Sequence, residues 1–309
     1  MLAQLASRLP SGAHWRYEPK LDGFRGLLEH AVDGRQRLTS RNRKDLTRWF
    51  PEVARAGEYL PAATVLDGEL VVADEHGQPD FGALQARLTM TPDRISDAAL
   101  SCPAVLVVFD VLQLGGNNLV DCPLVERRQR LEDVVVGLHP CLQLVLQTAD
   151  LGLANEWFAR VPAIEGIVAK RADGRYRSGR RDWIKVKRQR TADCVVIGVA
   201  GDNHAPTLVL ALRHADGNLH LFGTCRQIPP TMSEPVARLL RQAGPLEGPI
   251  PSRWQHQELP AWRRVPPEVV CEVRFSHVDG RWLRQPATLL RWRPDRSPDD
   301  CGLDQLRFN

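Results

Sequence analysis

Lysine is sparse in this 309-residue chain: of 41 basic side chains only five are lysine, at positions 20, 44, 170, 185 and 187. Where arginine is the default cation, each retained lysine raises a chemical question. A guanidinium effectively never loses its proton and cannot act as a nucleophile, whereas an amine can. Long apolar runs are also absent. Stretches such as Ala104 to Phe109 fall far short of the ~20 residues a membrane helix needs. The opening MLAQLASRLP lacks a basic start followed by an apolar stretch, so no secretory leader is expected. The seven cysteines form no CxxC or CxxH pair and lie at least 19 residues apart, which argues against a zinc ribbon or finger. An odd number of scattered thiols suggests a reducing compartment and buried, structural cysteines. With 43% apolar and 25% charged residues, a disordered tail, a collagen-like fibre and a coiled coil are excluded. The length suits two domains.

The net charge is only +4, but it is unevenly spread. Residues 166–190 carry ten basic side chains against two acidic ones, Asp173 and Asp182. A cation patch on a near-neutral chain suggests a polyanionic partner, although charge runs are often no more than solvated loops.

Hydrophobic spacing divides the chain into two textures. Residues 14–73 read as strand and turn. Phe81 to Leu88 and Pro92 to Leu100 read as helical or irregular, and Val125 to Val136 has helical spacing. Ala104 to Leu114 reads as a buried strand ending in the Gly115-Gly116 turn, and Ile164 to Lys170 and Trp183 to Lys187 as strands. After about residue 190, strands predominate. Leu208 to Arg213 and Leu219 to Thr224 flank an Asp216-Gly217 hairpin turn, and Met232 to Ala243 is a short amphipathic helix. Further strands follow at Val269 to Phe275 and Leu289 to Arg293. About five strands interrupted by one helix suit a small Greek-key barrel of the OB type.

Three segments carry candidate chemistry. In Glu18-Pro19-Lys20-Leu21-Asp22-Gly23, an extended backbone puts Glu18, Lys20 and Asp22 on one face, which could equally be a surface ion-pair cluster. In Ile164-Glu165-Gly166-Ile167-Val168-Ala169-Lys170, a carboxylate beside a glycine interrupts an apolar strand and could hold a divalent metal or a ribose hydroxyl. In Trp183-Ile184-Lys185-Val186-Lys187, alternation aims Trp183 and both lysines the same way, as an anion site or as an edge strand with gatekeeper lysines. Four of the five lysines fall in these segments, and that coincidence outweighs the bland reading of each.

The ordered set Lys20-x-Asp22-Gly23-x-Arg25, Ser40-Arg41-Asn42, Asp67-Gly68-Glu69, Phe109-Asp110, Glu165-Gly166-Ile167-Val168-Ala169-Lys170 and Trp183-Ile184-Lys185-Val186-Lys187 resembles the covalent nucleotidyltransferases. Within them it resembles the ATP-dependent DNA ligases, in particular small bacterial enzymes related to mycobacterial ligase C and the ligase domain of ligase D. The resemblance covers nearly the whole chain. It implies that Lys20 takes AMP from ATP as a phosphoramide and that Glu18 helps read the adenine. Arg25 and Arg41 would contact ribose and phosphates, and Phe109 and Val168 would cover the two faces of the base. Glu69 and Glu165 would serve the ribose and a divalent metal, Mg2+ with Mn2+ as a substitute. Lys185 and Lys187 would hold the α-phosphate. Arg293, in Arg293-Pro294-Asp295-Arg296, would match a last motif that usually ends in lysine where this chain has Arg296. Arg127 and Arg128 match an arginine pair found in relatives.

The resemblance implies an α+β architecture. An adenylation domain of antiparallel sheets with flanking helices (1–190) would precede an OB-fold barrel (191–309). Cationic neighbours and a metal would help free the Lys20 amine. The short stretch before Lys20 leads us to expect ATP rather than NAD and no helical DNA clamp. DNA grip would then fall to the basic segment and the barrel, with strong salt dependence. Nicked duplex DNA is the implied substrate, DNA-end-binding or repair proteins are candidate partners, and no membrane contact is expected. The implied setting is a monomer in the bacterial cytoplasm, associated with the nucleoid. An RNA ligase, a capping-type nucleotidyltransferase and a non-enzymatic nucleic-acid-binding module are the alternatives.

Overall fold

The computed structural model describes residues 1–75, 77–202, 204–251 and 260–306. The chain divides into two compact units, Met1–Arg188 and Gln189–Asn309. The architecture is α+β, with mixed sheets and flanking helices in the first unit and a barrel in the second.

The first unit holds two sheets. One has four strands in the order Ala3–Leu5, Trp183–Lys187, Gly166–Arg171, Trp15–Lys20. The other follows the path Gln36–Ser40, Phe24–His30, Thr64–Val71, Val105–Leu114, Asn117–Asn118, with Leu142–Leu144 added parallel to Val105–Leu114. Period-two alternation sorts the side chains. Along Val105–Leu114, Leu106 and Val108 enter the main core with Leu28, Leu38, Leu66 and Leu70, which turns Val107 and Phe109 to the opposite face. Along Trp15–Lys20 and Gly166–Arg171, Tyr17, Ile167 and Ala169 form a smaller core against the helix Leu151–Arg160. That turns Glu18, Lys20, Val168 and Lys170 toward Phe109.

Three elements of this unit differ from the sequence reading. Residues 14–73 are not all strand and turn, because Pro51–Ala56 is a helix with proline in its first turn and Val53, Ala54 and Ala56 buried. Proline there needs no hydrogen-bonded N–H and presets φ, so it starts the helix. The helix Leu151–Arg160 was not anticipated either. Its cue is Asp150, whose side chain accepts from the Gly152 N–H at 2.7 Å. The strand Ala3–Leu5 is too short for any periodic signal and exists by parallel pairing with Trp183–Lys185.

The second unit is a closed barrel. The strand order is Arg190–Ala200, Thr207–Arg213, Leu219–Gln227, Ala287–Trp292, Ala261–Phe275, and the last pairs back to the first. The third and fourth strands of that path are parallel and its other pairs antiparallel, with the helix Ser233–Gln242 following the third strand in sequence. This is the OB topology, with Leu246–Pro249 added antiparallel to Ala261–Phe275 outside the closed path. A bulge at Val196/Gly198 bends the first strand. A Cβ on Gly198 would lie 2.1 Å from the Trp262 ring, so only glycine fits there. The core is dominated by valine, leucine and cysteine. All seven cysteines are free thiols; five are buried, and Cys102 and Cys122 are partly exposed. Burial pushes the Cys225 thiol up to about 12 and Cys301 to about 11, which leaves both inert as nucleophiles.

Candidate active site

The face opposite the two cores of the first unit lines a cavity of about 510 Å3. Its walls include Glu18, Lys20, Arg25, Arg41, Glu69, Phe109, Val168 and Lys185, eight of the residues singled out from sequence. Strand register assembles them. Glu18 pairs with Val168, which pairs with Lys185; Lys20 pairs with Gly166, which pairs with Lys187. Lys20 and Lys187 therefore flank one glycine. A Cβ on Gly166 would sit 2.1 Å from the Val186 carbonyl oxygen, so the close approach of these strands requires glycine.

Glu165 occupies the junction. Its Oε2 pairs with the Lys20 ammonium and its Oε1 with that of Lys187. The cationic neighbour Lys187 thus reaches Lys20 through a carboxylate that stands between the two ammonium groups. The Lys20 side chain is 22% exposed and so open to the cavity. Lys185 lies on the same face, and its pKa is lowered by burial first and then by Lys187 and Lys20. Glu69 faces Lys20 and Arg25. Burial pushes its carboxyl up to about 7 even though those two cations oppose the shift.

Arg25 is held more firmly than the sequence suggested. Its Nε and Nη2 donate to the two Asp67 oxygens at 2.9 and 2.5 Å, and Nη2 also donates to Tyr176 Oη at 3.0 Å. Tyr176 Oη in turn donates to Asp67 at 2.8 Å. The guanidinium lies 5.6 Å from the Phe109 ring centroid and 5.5 Å from that of Trp183. Arg127 does not reach the cavity. It is buried and forms a bidentate pair with Asp110 at 2.7 and 2.9 Å, and it also donates to the Cys122 and Gly174 carbonyls. Arg128 is likewise structural, pairing with Glu132 at 2.6 Å. Arg293 belongs to the barrel unit, where Asp193 lies at 3.0 Å and Asp295 at 2.8 Å.

Sequence reasoning assigned no role to Lys170. Its side chain is 1% exposed; the ammonium meets Glu18 at 2.6 Å and donates to the Phe109 carbonyl at 3.2 Å. It also lies 4.5 and 4.3 Å from the Phe109 and Trp183 ring centroids. Gln147 completes the setting, donating to the other Glu18 oxygen at 2.8 Å. Lys44, outside every motif, lines the cavity as well. All five lysines thus stand at the site, four in its wall and Lys187 through Glu165. The scarcity of lysine was the signal that could have found Lys44 and Lys170.

The chemistry of this set is specific. An aromatic face and a valine can hold a planar base between them. Ammonium groups beside them attract phosphates, and one exposed amine can act as a nucleophile. Glu69 and Glu165 are oxygen donors that suit a hard divalent cation, and a buried carboxyl forced toward its neutral form is stabilised as an anion by such a cation.

Comparison with known proteins agrees. Residues 1–187 match the family model described as ATP dependent DNA ligase domain. DNA ligase C1 of Mycolicibacterium smegmatis is 36% identical over 327 aligned residues, covering 99% of this chain and 92% of that protein. DNA ligase C of Mycobacterium tuberculosis is 35% identical, with 99% and 92% covered. A solved structure of mycobacterial DNA ligase D complexed with ATP and MES superposes with a TM-score of 0.51 at 27% identity, covering 97% of both chains. The lysine-bearing cavity, its strand register and these relatives together place the chain in the ATP-dependent DNA ligase family.

Proposed function

We propose that the cavity is the adenylylation site of this DNA ligase and that Lys20 is its nucleophile. The observation that carries the reading is the convergence of all five lysines on one cavity, with Lys20 part-exposed beside Glu165. In the first step the Lys20 lone pair attacks the α-phosphorus of ATP. A P–N bond forms, the bond from that phosphorus to the bridging oxygen breaks, and pyrophosphate leaves with the electron pair. The ammonium must first give up a proton, and Glu165 is the carboxylate in contact with it. Phe109 and Val168 cover the base, and Glu18, held by Lys170 and Gln147, faces its edge. Lys185 and Lys187 draw the phosphates into line, and Arg41 lies on the exposed rim. Glu69 and Glu165 would hold Mg2+, which would supply positive charge against the phosphate oxygens.

The 5′-phosphate at a DNA nick then displaces Lys20 from the adenylyl phosphorus, and the adjoining 3′-hydroxyl displaces AMP. Nicked duplex DNA as the substrate is part of this proposal, as are action as a monomer, a cytoplasmic setting and end-joining or repair partners. Exposed Arg171, Arg175, Arg177, Arg180 and Arg181 offer contacts to a phosphate backbone. Arg293 and Arg296, both within reach of Asp193, would serve the pyrophosphate only by leaving that carboxylate. Among the described residues, no helix is long and apolar enough to cross a membrane.

The test is intact mass after exposure to ATP and Mg2+. We expect one added adenylyl group on wild type, mapped to Lys20, and none on Lys20→Arg, with nick sealing lost. An adenylyl group that persists in Lys20→Arg removes the assignment. Sealing of nicked DNA compared with nicked RNA in the same assay measures strand preference.

A further inference from the structure

The hairpin between the second and third barrel strands carries three side chains that ligation, as derived above, does not use. Thr207–Arg213 and Leu219–Gln227 are joined by a tight turn in which the His214 N–H donates to the Asn218 carbonyl and the Gly217 N–H to the His214 carbonyl, both at 2.9 Å. Gly217 has φ +81°, which the turn requires. The Asn218 N–H donates to Asp216 Oδ1 at 2.9 Å and so fixes the carboxylate. His214 and His220 each approach one of its oxygens. His214 Nδ1 lies 3.8 Å from Asp216 Oδ1, and His220 Nε2 lies 3.0 Å from Asp216 Oδ2. The two imidazole centroids are 4.9 Å apart. One donor atom from each of the three residues lies within 4.8 Å of the others.

We infer that His214, Asp216 and His220 form a binding site for a divalent transition-metal ion, separate from the adenylylation site. Two imidazole nitrogens and one carboxylate oxygen suit Zn2+, Co2+, Ni2+ or Cu2+. Mg2+ prefers oxygen ligands and would not compete. The side chains are exposed or half-exposed, so water completes the coordination sphere.

Arg281 regulates the site. Its Nη1 lies 3.0 Å from His220 Nδ1. A guanidinium only donates, so Nδ1 accepts and the ring proton sits on Nε2, aimed at Asp216. A metal ion bound at Nε2 moves that proton to Nδ1, where it faces the Arg281 donor. The Arg281 contact is then lost, and the two cations repel. Metal binding and Arg281 docking therefore exclude one another.

The experiment uses the untagged full chain in excess Mg2+, titrated with Zn2+ against a chromophoric chelator and with Co2+ followed by visible absorption. Wild type should take up one equivalent more than the double variant His214→Ala/His220→Ala. Removing His220 alone should weaken that equivalent by about tenfold or more. Arg281→Ala should tighten it. All four side chains lie near the surface of the barrel, and circular dichroism with thermal unfolding of each variant checks that it is folded. Equal uptake by wild type and the double variant overturns the proposal. Uptake too weak to compete with the chelator, or weaker binding by Arg281→Ala, overturns it as well.

Discussion

The two units bury polar groups in opposite ways. Among the described residues, the first unit buries six charged side chains: Glu18, Asp67, Arg87, Asp110, Arg127 and Lys170. The barrel unit buries one, Asp193, beside the neutral Thr207 and Thr224, and its core is mainly valine, leucine and cysteine. Buried ion pairs are poor stabilisers, since desolvation consumes most of the Coulombic gain. Their concentration in the unit that holds the cavity points to a different use. Arg25–Asp67, Lys170–Glu18 and Arg127–Asp110 are rigid, directional pairs that set the positions of Phe109, Trp183 and the strands carrying them. The barrel needs only closure, and apolar packing with register shifts such as those at Val196/Gly198 and Leu210/Ala211 supplies it.

The comparison breaks most readily at Arg127. Arg127→Met leaves Asp110 buried and unpaired and strips two carbonyls of their donor, so it should cost about 3–5 kcal/mol. Arg127→Met with Asp110→Leu should recover most of that. Denaturant unfolding, with peptide-resolved hydrogen exchange to locate the loosened unit, reads both. If the double variant is no better than the single one, charge burial is not the cause.

In the barrel the equivalent injury is loss of volume. Leu210 is fully buried, and Leu210→Ala should cost about 3 kcal/mol, with faster exchange confined to the unit Gln189–Asn309. Equal loosening of both units would dissolve the contrast.

The smallest effect belongs to Glu69. Its folded-state pKa of about 7 lies above the ordinary value of 4.5. Between those values the folded chain keeps a proton that the unfolded chain has released, so metal-free and nucleotide-free protein should lose stability as pH rises. The loss is gradual, at most about 1.4 kcal/mol per pH unit within that window. Glu69→Gln should flatten the profile. If the pH dependence is unchanged in Glu69→Gln, its source lies elsewhere.

Much of the site was legible because chemistry restricts residue type more tightly than packing does. Lys20, Glu69, Glu165, Lys185 and Lys187 stand in recognisable order, and in the structure they lie around or beside one cavity. The strands Val105–Leu114, Trp183–Lys187 and Thr207–Arg213 follow their alternation or apolar runs. The helices Pro51–Ala56 and Leu151–Arg160 escaped because their starts are marked by a single proline or aspartate rather than by a long periodic face. The sequence matches Arg127 to an arginine pair in relatives but assigns it no partner, because nothing in its neighbourhood reveals that it pairs with Asp110, 17 positions away.

By itself, the order of residues determined the family, the barrel's strand-and-helix pattern and which amine to suspect, because those depend on side-chain type and short-range spacing. Only the tertiary structure decided what Lys20 touches, that Lys44 and Lys170 join the other lysines, and that Arg25 is committed to Asp67. Those facts depend on which strands lie side by side. Register between segments more than a hundred residues apart is set by the packing of both faces at once, and no local stretch of sequence carries that information.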